Sequence, residues 1–241
     1  MKFHQSNLLK QFSNITSAFT TKKSGNLAFH VGDVAHRVVK NHKLLANELN
    51  FSHEKLVHMH QVHSNRVIKI DETHNFSNPP SCDALITNEK NRPLMVMVAD
   101  CAPILFYDPV QNVIAVAHAG RAGAFLNIVT ETLTAFYELY GSNATDIRVS
   151  AGAMIQQCCY EVGEEVFQQS AQLGLEYSLE CREGSYYLDI SAIIKSQLLN
   201  AGIPEENIEV SSECTCCLKE KYFSFRGEKN TGRFAGVICL H

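Results

Sequence analysis

Val113-Ile114-Ala115-Val116-Ala117 is apolar at every position and too short for a buried helix, so it reads as a strand covered on both faces. A chain carrying such a strand must build a sheet with a layer on each side. Leu94 to Ala99 is a second run of the same kind. No apolar run approaches the about 18–20 residues that a membrane span requires, and the first residues, Met1 to Asn7, lack the apolar core of a signal peptide. These features set the expectation of a soluble, cytoplasmic protein without membrane partners. Lys and Arg number 21 against 25 Asp and Glu, a net charge of −4, which leaves no basic footprint for nucleic acid.

Apolar spacing predicts helices over 35–49, 123–140, 163–173 and 189–200, with a short N-terminal turn and with Gly141 as the stop signal of the second. Strands are expected at 18–21, 56–60, 66–70, 84–87, 94–99, 104–107, 113–117, 148–151, 209–211, 222–225 and 236–240. They cluster instead of alternating strictly with helices. The expected class is therefore α+β, with layered mixed sheets flanked by helices. The Pro79-Pro80 loop is too short to separate two units, and residues 1–241 read as one domain.

Chemistry-bearing residues recur where strands break. His63 follows the 56–60 strand, Cys101 follows 94–99 with Pro103 blocking simple continuation, and His118 is placed at the end of 113–117. Polar groups at strand ends can converge in one cleft. The spacing matches no zinc finger, so only tertiary structure would bring the three together. Two His and one Cys suit zinc and leave a fourth position open, the mark of a catalytic site. The same trio equally suits a Cys nucleophile with a His base. Taken singly, each His is more often a structural residue and each Cys a buried thiol.

The nine cysteines include two adjacent pairs and do not read as a disulfide framework. Cys158 and Cys159 are expected to pack ahead of a helix. Cys214, Cys216 and Cys217 lack paired Cys-x-x-Cys motifs or His partners and are expected to pack beside the site, with a second metal site as the minority reading. His58 and His60 are expected on a surface strand face.

Gln61-Val62-His63, Asp83 to Thr87, Ala99-Asp100-Cys101-Ala102-Pro103 and Ala117-His118-Ala119-Gly120 resemble the laccase-domain family, multicopper polyphenol oxidoreductase-like proteins known for purine nucleoside phosphorylase activity. Asn26-Leu27, His30 to Asp33, Tyr160 to Val166, Cys214-Thr215, Phe223 to Arg226 and Thr231-Gly232-Arg233 extend the resemblance along nearly the whole chain. It implies a mixed α/β fold and a zinc site of His63, Cys101 and His118, with copper as the other metal attributed to the family. It further implies phosphorolysis of adenosine, inosine, guanosine or methylthioadenosine, and deamination of adenosine. Purine nucleosides and phosphate would be the partners, with the chain a monomer or small homo-oligomer.

Two positions depart from the family pattern. His118-Ala119-Gly120 continues as Arg121-Ala122-Gly123 in place of Trp-Arg-Gly, and the usual Asn-Arg is Asn41-His42. The second change removes a bidentate fork that His does not reproduce. Phosphate is expected on Arg121 first and Arg226 next, with Arg233 divided between site and surface. Gln61 is expected at the purine edge and Asp100 in proton transfer. Asn26 and Asp33 are expected to line the site through the motif match alone. The rival functions are a copper-dependent phenol oxidase, a hydrolase or amidase of a cytoplasmic peptide or cell-wall precursor with Cys101 as nucleophile and His118 as base, and a non-catalytic metal-binding module.

Overall fold

The protein is described by a computed structural model covering residues 3–241. The chain runs β1 (Ile15–Phe19), α1 (Ala35–Glu48), β2 (Val67–Lys69), β3 (Ala84–Thr87), β4 (Leu94–Val98), β5 (Ala102–Asp108) and β6 (Val113–Ala119). It continues through α2 (Arg121–Phe125), α3 (Ile128–Tyr140), β7 (Arg148–Ala151), β8 (Glu161–Val162), α4 (Glu164–Gln172), β9 (Leu179–Arg182) and β10 (Ser185–Leu188). The last elements are α5 (Ile190–Asn200), β11 (Ile208–Val210), α6 (Phe225–Glu228) and β12 (Phe234–Leu240). Among the described residues no helix is long and apolar enough to cross a membrane.

Six strands form a mixed sheet in the order β11-β7-β5-β6-β3-β2, parallel at its two outer pairs and antiparallel within. An antiparallel sheet, β1-β12-β4, covers one face of it. Side-chain alternation dictates this stacking. On β5, Leu105 and Tyr107 join Phe19, Val96, Val98 and Ile238 between the two sheets, while Ile104 and Phe106 pack outward against Phe136 of α3 and Ile193 of α5. The outer face of the small sheet, with Met95, Met97 and Val237, is closed by Leu45 of α1. The layers therefore run helix, sheet, sheet, helix, and the strands of β4 and β6 are buried at every residue. Truncating one of these side chains to Ala would cost about 2–5 kcal/mol, transfer and cavity together.

The α+β class and its layered mixed sheets hold. Four local expectations do not. The 123–140 helix is two helices, because Asn127 adopts the left-handed conformation, φ 60°, between α2 and α3. Pro103 lies inside β5 and pairs with His118, which is likewise inside β6 and not beyond its end. Residues 56–60 make only single bridges, Val57 with Leu94 and His60 with Ser81. Tyr222 to Phe225 is no strand; the segment turns into α6 through Ser224, whose hydroxyl accepts the Gly227 N–H. A third sheet, β8-β10-β9, was not anticipated.

Candidate metal centre and its cleft

Period-two alternation puts His118 on the face of β6 shared with Ile114 and Val116, between the two sheets. Asp83, just before β3, stands opposite: the His118 N–H donates to the Asp83 carbonyl at 2.7 Å. Asp83 is fully buried. Its carboxylate accepts from His118 Nδ1 at 2.9 Å, from the backbone N–H groups of Val62, His63 and Ser64 at 3.2, 3.0 and 2.7 Å, and from the Ser64 hydroxyl at 2.8 Å. Burial alone would raise its pKa, but the His118 and Ser64 hydrogen bonds outweigh it and hold the carboxyl at about 2.

One carboxylate thus sets two of the three predicted ligands. It orients the His118 ring, leaving Nε2 as the lone pair for the site. It also gathers the backbone of the turn that carries His63, a non-glycine residue at φ 59°. The neighbour of the third ligand is also left-handed: Asp100, before Cys101, has φ 87°. Its oxygens accept from the Thr215 hydroxyl and the Arg226 N–H, both at 2.6 Å, and its carbonyl accepts from the Ile155 N–H at 2.8 Å. These bonds hold the unusual backbone and point Cys101 inward.

His63, Cys101 and His118 offer one ligand atom each, all within 4.8 Å of one another. The two rings meet edge to face, centroids 4.8 Å apart. Gly120 packs so closely here that a Cβ would lie 2.7 Å from the Cys101 sulfur and 3.6 Å from the His63 ring. Burial pushes the Cys101 thiol up, yet His118, then His63, more than offset this and draw it down to about 6. Burial pushes His118 down, and the Cys101 sulfur with the Asp83 carboxylate raise it instead. A borderline-soft divalent cation fits this donor set: one thiolate, two imidazoles, one of them backed by a carboxylate.

The trio opens into a cleft of about 730 Å³, within the size range of small-molecule sites. Arg121, Arg226 and Arg233 line it together with Phe29, Met97 and Tyr160. Arg226 donates to the Glu161 carbonyl at 2.8 Å and stacks 5.3 Å over the Tyr160 ring. Arg121 reaches the Gln169 side chain at 3.3 Å. Arg233 is anchored on the Thr231 and Gly232 carbonyls, both at 3.0 Å.

The other expected site residues stand differently. Gln61 lines the cleft, but its amide is held at both ends by Met97, donating to the carbonyl at 2.8 Å and accepting the N–H at 3.0 Å. Asn26 and Asp33 do not line it; Asn26 accepts the N–H groups of Ala28 and Arg233 and donates to Asp33, tying the N-terminal loop to the last strand. His42, at the family's Asn-Arg position, is buried on the Leu27 carbonyl and stacked on Phe29. His58 is buried, against the surface expectation, and lines the cleft with His60. Asp83 was quoted in a motif but given no role; its parity with Leu85 marks a carboxylate aimed between sheets. Tyr160 also went unassigned.

Residues 14–241 match the family described as multi-copper polyphenol oxidoreductase laccase. A Corynebacterium glutamicum protein named purine nucleoside phosphorylase is 36% identical over 237 residues, 94% of each chain. A Bacillus subtilis protein named purine nucleoside phosphorylase YlmD is 32% identical, covering 94% of this chain and 88% of its own. Among solved structures, Bacillus licheniformis hypothetical protein YfiH superposes with a TM-score of 0.92 at 31% identity over 99% of each chain. Geobacillus stearothermophilus YlmD gives 0.89 at 30% identity, over 99% of this chain and 98% of that one. In sequence and in fold alike, this chain belongs to the laccase-like multicopper polyphenol oxidoreductase family, whose relatives here carry the name purine nucleoside phosphorylase.

Proposed function

We propose that the chain is a zinc-dependent purine nucleoside phosphorylase that also deaminates adenosine, acting as one domain in the cytoplasm as a monomer or small homo-oligomer. Adenosine, inosine, guanosine and methylthioadenosine are its substrates, and phosphate is the second reactant. The observation that carries this reading is the meeting of a three-ligand metal centre with three arginines in one nucleoside-sized cleft. The names of its relatives support the same activity.

Phosphorolysis needs phosphate beside the ribose and a site that tolerates an oxocarbenium-like sugar. Arg121 and Arg226 supply charge-assisted donors for the phosphate oxygens, and the Tyr160 ring under the Arg226 guanidinium positions it. Asp100 fixes the turn on which Arg226 begins its helix, so metal centre and phosphate donors share one support. Phe29, Met97 and Phe225 offer apolar faces for the base. His63, Cys101 and His118 would hold the zinc, which supplies Lewis acidity and brings bound water toward neutral pKa, as deamination requires. Asp83 keeps the His118 proton on Nδ1, away from the ion.

The donor set favours zinc over a multicopper centre. Among the described residues the other close group of three or more such side chains is made of four cysteines, whereas multicopper chemistry asks for many imidazoles. One observation favours a second reading, a thiol hydrolase: the Cys101 sulfur is drawn to about 6 beside His118. Incubating the purified chain with adenosine, with and without phosphate, decides between them. Adenine or hypoxanthine with ribose 1-phosphate, plus inosine when phosphate is omitted, is expected. Metal-loaded protein that releases neither base nor ammonia would overturn the proposal.

A further inference from the structure

A second group of ligands lies outside the chemistry just described. Cys158 and Cys159 sit on the turn after β7, Cys214 and Cys217 on the turn after β11, and all four sulfurs fall within 4.8 Å of one another. All four are free thiols. The separations are 3.8 Å for Cys158–Cys159, 3.6 Å for Cys158–Cys217 and 3.4 Å for Cys159–Cys217. A tetrahedron of thiolates at a Zn–S distance of about 2.3 Å has edges of about 3.8 Å. The sulfurs are therefore spaced for one tetrahedral ion, and too close together to surround a polynuclear cluster.

The backbone is arranged for negative sulfur as well. Cys214 is buried, and its sulfur accepts the N–H of Gln156 at 3.5 Å. Such N–H···S bonds favour thiolate over thiol. Arg182, paired with Glu180 and stacked on Tyr187, lies within electrostatic reach of Cys158. Cys158 and Cys217 are exposed, which gives an ion an entry path. Cys216, from the same run, is not among the four.

We propose that Cys158, Cys159, Cys214 and Cys217 form a closed structural zinc site that staples the turn lining the cleft at Tyr160 to the turn behind it at Thr215. The first turn carries Tyr160, and the second carries Thr215, whose hydroxyl holds Asp100 beside Cys101. Zinc displaces the thiol protons on binding, and the site has no position left for substrate. Its role is to hold the wall in place, so it is independent of which reaction the cleft performs.

The test uses the full chain carrying Cys101→Ser, which removes the sulfur from the other centre. Elemental analysis after dialysis is expected to find one zinc per chain, and cobalt substitution is expected to give the intense charge-transfer absorption of a tetrathiolate ion. Both are expected to vanish when Cys214→Ser and Cys217→Ser are added. Should that triple variant fail to fold, Cys158→Ser, at an exposed position, is expected to weaken zinc at least tenfold against a chromophoric chelator. Folded Cys101→Ser chain that retains no zinc and shows no sulfur-to-cobalt band would overturn the proposal, as would a Cys158–Cys217 disulfide in freshly purified protein. Chain with Cys101 intact that holds this zinc and yet cleaves no nucleoside would count against the proposed activity alone.

Discussion

His63, Cys101 and His118 are set by one interior strand, the turns at its neighbours' ends and one buried carboxylate, whereas Cys158, Cys159, Cys214 and Cys217 come from two turns, with a backbone N–H on the Cys214 sulfur. The first group has three ligands and faces a cleft; the second has four, none of which lines that cleft. On the proposed reading, the contrast separates chemistry from scaffolding within one chain. Ligands meant to work are set by the core and leave room for a reactant, while ligands meant to hold complete their own shell.

Breaking the contrast at the working site should have the largest effect. Cys101→Ala is expected to lower kcat/KM for base release by well over the about 100-fold ceiling of changes behind a metal ligand. Cys217→Ser is expected to lower the melting midpoint while keeping most of kcat. Steady-state kinetics and thermal melts on both variants check this. Gly120→Ala comes next, because the new methyl would press on the Cys101 sulfur. A loss on the order of 100-fold in kcat/KM is expected, with an unchanged far-UV spectrum.

Asp83→Asn sharpens the comparison, since it touches only the strand-built site. Metal affinity there is expected to fall roughly 10–100-fold, measured by chelator competition, with the four-cysteine group unaffected. Arg226→Lys keeps the charge but gives up the fork and the Tyr160 stack. The KM for phosphate is expected to rise about tenfold, or ~1.4 kcal/mol, with a smaller change in nucleoside KM. The smallest effect is on stability at mild acidity. Burial holds His42 at about 4, below the ordinary 6.5, despite the Leu27 carbonyl. The unfolded chain therefore takes up this proton first, and stability is lost as pH falls from 6.5 through about 4. Urea midpoints between pH 7 and pH 4.5 should show a steeper decline for the native chain than for His42→Gln.

Much of this architecture was legible because burial on two faces leaves a plain mark. The runs behind β4 and β6, the stripe of α1 and the stop at Gly141 all follow from periodicity. The convergence of His63, Cys101 and His118 was legible only as recurrence at strand breaks, and the strands proved longer than the apolar runs. β5 and β6 continue through Pro103 and His118, because a proline near a strand's start loses one bond and a buried His can pair with Asp83. Elements lacking a buried face escaped notice. β9 and β10 place Glu180, Cys181, Tyr186 and Tyr187 at half-exposed or exposed positions, where no alternation registers. Asn127 broke a helix whose apolar spacing runs on undisturbed.

The four-cysteine group was legible only in half, as a second metal at Cys214 to Cys217, and its other half hid for a separate reason. Cys214 and Cys217 do form a Cys-x-x-Cys pair, but Cys216 interrupts it, and the partner pair is adjacent instead of spaced. Asn26, placed in the site by resemblance, ties the N-terminal loop to Arg233, which lines the cleft.

The central claim is that nucleoside cleavage depends on an ion held by His63, Cys101 and His118. Its most direct test is turnover of adenosine with phosphate by one chelator-stripped sample, read before and after zinc is returned. Silence before and ribose 1-phosphate after is the predicted result; undiminished turnover by protein with no measurable metal would contradict it.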